Sequence, residues 1–94
     1  MRSLVWAQMA LDDQAAIAAH TGAADPLAAE RVVLTIQQRA LRLQAFPLSG
    51  VRLDLGNARK LPISRYPYVI AYDVRPESVV ILRVRHTSRD ATAP

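Results

Sequence analysis

One change of rhythm constrains this chain more than any other feature. At Pro47-Leu48-Ser49-Gly50 the hydrophobic pattern switches from a helical to a strand period. Before that point, Ala29, Val33, Ile36, Ala40 and Leu43 recur at steps of four and three, which makes one apolar stripe on a helix. After it, Val51, Leu53 and Leu55 alternate with Arg52 and Asp54, the period of a half-buried strand. A chain that finishes its helices before most of its strands begin is expected to be α+β, with the helices stacked on one sheet face.

The punctuation around the stripe is consistent with it. Asp25 is a good N-cap, and Pro26 fits the first helical turn, where its missing N–H costs nothing. The helix must stop near Gln44–Phe46, because the residue before Pro47 is pushed out of the α region. An earlier alanine-rich helix runs from about Ala7 to His20, with Ala10, Gln14, Ile17 and Thr21 at helical spacing, and Thr21-Gly22 is expected to end it. The two make an antiparallel hairpin. Ser3–Trp6 reads as a first strand. Arg59–Ile63, Tyr68–Val74 and Val79–His86 read as successive strands after the Gly56-Asn57 turn, with Arg75-Pro76-Glu77-Ser78 linking the last two. At 94 residues the chain is expected to be a single domain over 1–94, with 87–94 a frayed tail.

An ideal hairpin closed at Val74 and Val79 sets Tyr72 opposite Ile81, Ile70 opposite Arg83 and Tyr68 opposite Arg85. That face, Tyr68, Ile70, Tyr72 and Ile81 with its arginines, is expected to be a working surface. The other, Val69, Ala71, Asp73, Val80, Leu82 and Val84, is expected to lie under the helices. A slip of one residue would exchange them.

Charge divides the chain at the same place. Through Val51, Arg2, Arg31, Arg39 and Arg42 balance Asp12, Asp13, Asp25 and Glu30, so the whole net charge of +4 belongs to the residues from Arg52 onward. Lys60 is the only lysine, so the basic surface is built from arginine, whose planar fork suits phosphate and carboxylate. An acidic partner follows, either nucleic acid or an acidic protein segment. The absence of cysteine excludes disulfide scaffolds, thiolate zinc sites and thiol nucleophiles. His20 and His86 are too few and too distant in sequence to suggest zinc, no serine sits in a nucleophile elbow, and no glycine-rich phosphate loop exists. No cofactor and no metal is expected. With no secretory leader pattern and no apolar run near ~20 residues, the expectation is a cytoplasmic domain without a membrane partner.

The ordered residues Arg59-Lys60-Leu61-Pro62-Ile63, Tyr66-Pro67-Tyr68-Val69-Ile70-Ala71-Tyr72, Val80-Ile81-Leu82-Arg83-Val84-Arg85-His86 and Arg89-Asp90 resemble the C-terminal progression of ParE-type toxins in the ParE/RelE superfamily. Trp6, Ala10-Leu11, Asp13, Ile17, Asp25-Pro26 and Pro47-Leu48-Ser49-Gly50 agree with that resemblance, which spans about residues 3–90. It implies a βααβββ fold, with a helical hairpin on a mostly antiparallel sheet of three to four strands. It also implies a small, partly disordered ParD-like antitoxin as partner, with DNA contacted only through that antitoxin. Two activities follow from the superfamily: inhibition of DNA gyrase, as in ParE, or ribosome-dependent cleavage of messenger RNA, as in RelE.

Cleavage needs a base, an acid and cations around a crowded phosphate. RelE-type nucleases, which this chain resembles, place an arginine where it has Val69, lysines or a glutamate on the preceding strand, and a tyrosine or a histidine–tyrosine pair near the C-terminus. Here Lys60, Arg83, His86 and Arg89 are the candidate catalytic set, and no tyrosine follows Tyr72. The residues therefore lean towards a gyrase-binding inhibitor, with Arg83, Arg85, His86 and Arg89 meeting the target and Tyr68, Ile70, Tyr72 and Ile81 meeting the antitoxin; a degenerate toxin or a plain basic nucleic-acid-binding module is the third reading.

Overall fold

A computed structural model describes residues 1–54 and 56–89. The elements run β1 (Ser3–Trp6), α1 (Gln8–Ala24), α2 (Pro26–Arg42), β2 (Val51–Arg52), β3 (Ala58–Pro62), β4 (Tyr68–Val74) and β5 (Ser78–His86), closed by a 3₁₀ turn at Thr87–Arg89. The architecture is α+β as expected, but the sheet has five strands in the order β1-β5-β4-β3-β2 and is mixed, because β1 pairs β5 in parallel. At the start of the expected tail, Thr87–Arg89 form a 3₁₀ turn, and the rest of that segment lies outside the described residues. The expected strand through Leu55 reduces to Val51–Arg52, and Leu55 itself lies outside the described residues.

Both helices form for the anticipated reasons, with shifted ends. The Asp25 carboxylate accepts from the Leu27 and Ala28 N–H groups at 3.1 and 3.2 Å, and Pro26 opens α2. α1 does not stop at Thr21-Gly22. The Asp25 N–H donates to the Thr21 carbonyl at 2.9 Å, so the helical ladder runs through Gly22 and the break falls on a single residue. The buried stripe of α2 is Ala29, Val32, Ile36, Ala40 and Leu43, so Val32 takes the place expected for Val33. No helix among the described residues is long and apolar enough to cross a membrane.

The β4–β5 hairpin carries the main correction. Val74 pairs Val79 and Tyr72 pairs Ile81, as in the ideal ladder, but a bulge then shifts the register. Ala71 meets Arg83, Ile70 meets Val84, Val69 meets Arg85 and Tyr68 meets His86. Leu82 is the extra residue, and Val84 joins the face of Ile70. That face is the one under the helices: Ile70, Tyr72, Val79 and Ile81 are fully buried with Ile36 and Leu43, and Tyr68 packs against them. The surface assigned to Tyr68, Ile70, Tyr72 and Ile81 is therefore the core face, and Ile70, Tyr72 and Ile81 present nothing to a partner. Val69 and Val80 are buried on the opposite face.

Candidate functional site

β1 covers β5 only from Ser78 to Ile81. Beyond it, α1 runs beside the outer edge of β5 and closes that edge with a side chain. Asp13 accepts the Val84 N–H at 2.9 Å, which satisfies a backbone donor that an open sheet edge would leave to solvent. The same carboxylate takes both arms of Arg83, at 2.7 Å from Nε to Oδ2 and 3.0 Å from Nη2 to Oδ1. This is a bidentate, charge-assisted pair.

Burial alone would raise the Asp13 carboxyl. The Arg83 hydrogen bond, the Val84 N–H and the charges of Arg83 and Arg85 outweigh it and hold Asp13 below the usual aspartate value. Arg83 in turn is held more firmly protonated, chiefly by its hydrogen bond to Asp13.

Between α1 and the end of β5 lies an open cleft of about 430 Å³, bordered by His20, Tyr68, Arg83, Arg85, His86 and Ser88. His86 stands edge-on to Tyr68, with centroids 5.5 Å apart and planes at 86°. Its Nδ1 lies 3.2 Å from the Ser88 N–H and 2.7 Å from Ser88 Oγ. A backbone N–H can only donate, so Nδ1 is the acceptor and the neutral ring carries its proton on Nε2. In that state the nitrogen left for a ligand is a donor.

The fold brings some of the candidate residues together and separates others. Arg83, Arg85 and His86 share the cleft. Arg89 ends the 3₁₀ turn, and its side chain lies outside the described part of the structure. Lys60 is buried in β3 in register with Ala71, whereas His86 is in register with Tyr68. Ala71 and Tyr68 are three residues apart on one strand, so Lys60 and His86 occupy opposite faces of the sheet. Among the described residues no three histidine, aspartate or glutamate side chains gather to hold a metal ion.

Asp13 and His20 were not singled out for the site from sequence. The available signal was their seven-residue spacing on one side of α1, flanking Ile17. The pairing of Asp13 with Arg83, 70 positions later, has no local signature.

A helical hairpin on one face of a mixed sheet, with an arginine-lined cleft at the end of its last strand, defines a small α+β binding domain. The family model described as "ParE toxin of type II toxin-antitoxin system, parDE" matches residues 4–91. The chain belongs to this family, and membership implies an antitoxin partner. It is 39% identical over 89 residues to Toxin RelE2 of Caulobacter vibrioides, covering 95% of this chain and 99% of that protein. It is also similar to a solved structure titled "Chromosomal ParDE TA system from P. aeruginosa". That likeness has a TM-score of 0.82 and 28% identity, over 92% of this chain and 96% of the other.

Proposed function

We propose that the chain is a ParE-like toxin that acts in the cytoplasm by binding and inhibiting DNA gyrase, and that a cognate ParD-like antitoxin neutralises it. DNA would be reached only through the antitoxin. The observation that carries this reading is the state of the basic groups. A nuclease centre needs its base, acid and cations aimed at one phosphate. Here Lys60 and His86 are on opposite sheet faces, Arg83 is engaged by Asp13, and His86 Nδ1 is occupied by Ser88. Arg83 and His86, held in this way beside Arg85, line the cleft as pre-positioned groups, which suits docking against a protein surface more than proton transfer.

A supercoiling assay with purified gyrase tests the proposal. The toxin is expected to block supercoiling, Arg85→Glu to weaken the block by about tenfold or more, and messenger RNA in arrested cells to stay intact. Rapid loss of translated transcripts, abolished by His86→Ala, with gyrase unaffected, would overturn it in favour of a RelE-like nuclease, the reading that the name of the Caulobacter relative favours.

A further inference from the structure

A second arginine-lined cleft, of about 450 Å³, opens where the strand ends and loops meet: Arg2 before β1, Arg52 on β2, Arg59 on β3 and Arg75 after β4. Sequence separation hides this cluster, because its four members lie between residues 2 and 75 and only the sheet order gathers them. The geometry points to a binding site for the phosphate chain of a nucleoside di- or triphosphate.

Charge comes first. Arg52 and Arg59 are direct register partners on adjacent strands, so two like charges face each other across the ladder, an arrangement that destabilises a sheet. Arg2 and Arg75 bring two more to the same cleft. The carboxylate bonded within the group is Asp73, which holds Arg75 at 3.0 Å. Asp54 lies two positions from Arg52 in sequence, and Glu77 borders the adjoining cleft beyond Arg2. Four guanidinium charges against one bonded carboxylate leave a strong local excess, which an anion with several charges would offset.

The arms are also held in place beforehand. Arg2 Nε donates to the Arg75 carbonyl at 2.8 Å. Arg59 Nη1 donates to the Gly50 and Leu48 carbonyls at 2.9 and 3.3 Å. Each of these bonds uses one end of a guanidinium and leaves the other nitrogens for a ligand, so less side-chain freedom is lost on binding. Arg52 is exposed and makes no hydrogen bond or ion pair among the described residues.

Leu48, Val74 and Pro76 add an apolar wall beside the arginines. Phosphate needs guanidinium forks, and a sugar and base need an apolar surface, so the lining matches a nucleotide better than a bare anion. The volume falls within the range of small-molecule sites.

Titration of the full-length toxin with ATP, AMP, sodium pyrophosphate and a short DNA duplex, read by calorimetry, tests the site. ATP and pyrophosphate are expected to bind, AMP about tenfold or more weaker than ATP, and Arg52→Glu to weaken ATP by a similar factor. Among the described residues the Arg52 side chain has no bond to lose, and an unchanged circular dichroism melt keeps its loss of binding interpretable. Arg75→Gln gives a second, independent reading. Three results would overturn the inference: no heat with millimolar ATP or pyrophosphate; ATP binding lost in Arg85→Glu but kept in Arg52→Glu, which puts the ligand in the C-terminal cleft; or duplex DNA binding more tightly than ATP, which makes the cleft a contact for a nucleic acid backbone.

Discussion

Tyr72 is completely buried, yet both functions of its hydroxyl are used. It donates to the Pro47 carbonyl and accepts from the Gly50 N–H, each at 2.8 Å, and so pins the loop after α2 to the middle of the sheet. Burial raises its pKa, outweighing the Gly50 N–H and the nearby Arg59 charge. A Cβ on residue 50 would sit 2.5 Å from that hydroxyl, which explains why the position is glycine. Tyr72→Phe should therefore cost about 1–3 kcal/mol in urea unfolding at neutral pH, because it orphans the buried Gly50 N–H and the partly buried Pro47 carbonyl. A change near zero would mean that water takes over both bonds. Asp13 makes the other consequential bonds. Its folded pKa lies below the unfolded value of about 3.9, so its contribution is fully present above that value and is lost as pH falls through the folded pKa. Asp13→Asn should lose about 1.5–3 kcal/mol at pH 7, and the gap to wild type should close in acid. A gap independent of pH would show that the carboxylate's charge is not what matters.

Among the elements, α2 was the most legible, because Asp25-Pro26 and the four-three repeat are local signals that packing did not override. Ile36 sits at the centre of its buried stripe with no exposure. Ile36→Ala should destabilise by about 2–5 kcal/mol on chemical denaturation, and a loss below about 1 kcal/mol would place that face elsewhere. The extents of β4 and β5 were legible too; which way they face was not. Tyr68–Val74 and Val79–Val84 are largely apolar on both sides, and the contrast that Arg83 and Arg85 offer in an ideal ladder points to the wrong face. The bulge at Leu82 then moves Val84 inward and Arg83 outward to Asp13. No glycine or proline marks that bulge in the sequence. The strand expected from Val51 was found but is shorter than its alternation suggests, and the parallel pairing of β1 was not legible, since it depends on a partner about 75 positions along the chain.

For the molecule as a whole, the sequence showed that the net charge belongs to the second half but not that the fold divides it between two clefts. One collects residues mainly from α1 and β5, the other from Arg2 ahead of β1, from β2 and β3, and from the β4–β5 turn. Neither grouping can be read from spacing, because each joins positions about 70 apart. The same long reach governs how the fold is completed. β1 leans on the start of β5, where Ser3 is bonded to a carbonyl 74 positions later. During synthesis the helical hairpin emerges first, while Ile36, Ala40 and Leu43 still lack the sheet that covers them. The strand that completes the core is the last one made, and its final residues, Arg83 to His86, are also a wall of the C-terminal cleft. Foldedness and the cleft therefore arrive together, once β5 has been made. A toxin built this way has no half-finished form that carries the cleft beside α1, because that cleft lacks a wall until β5 is in place.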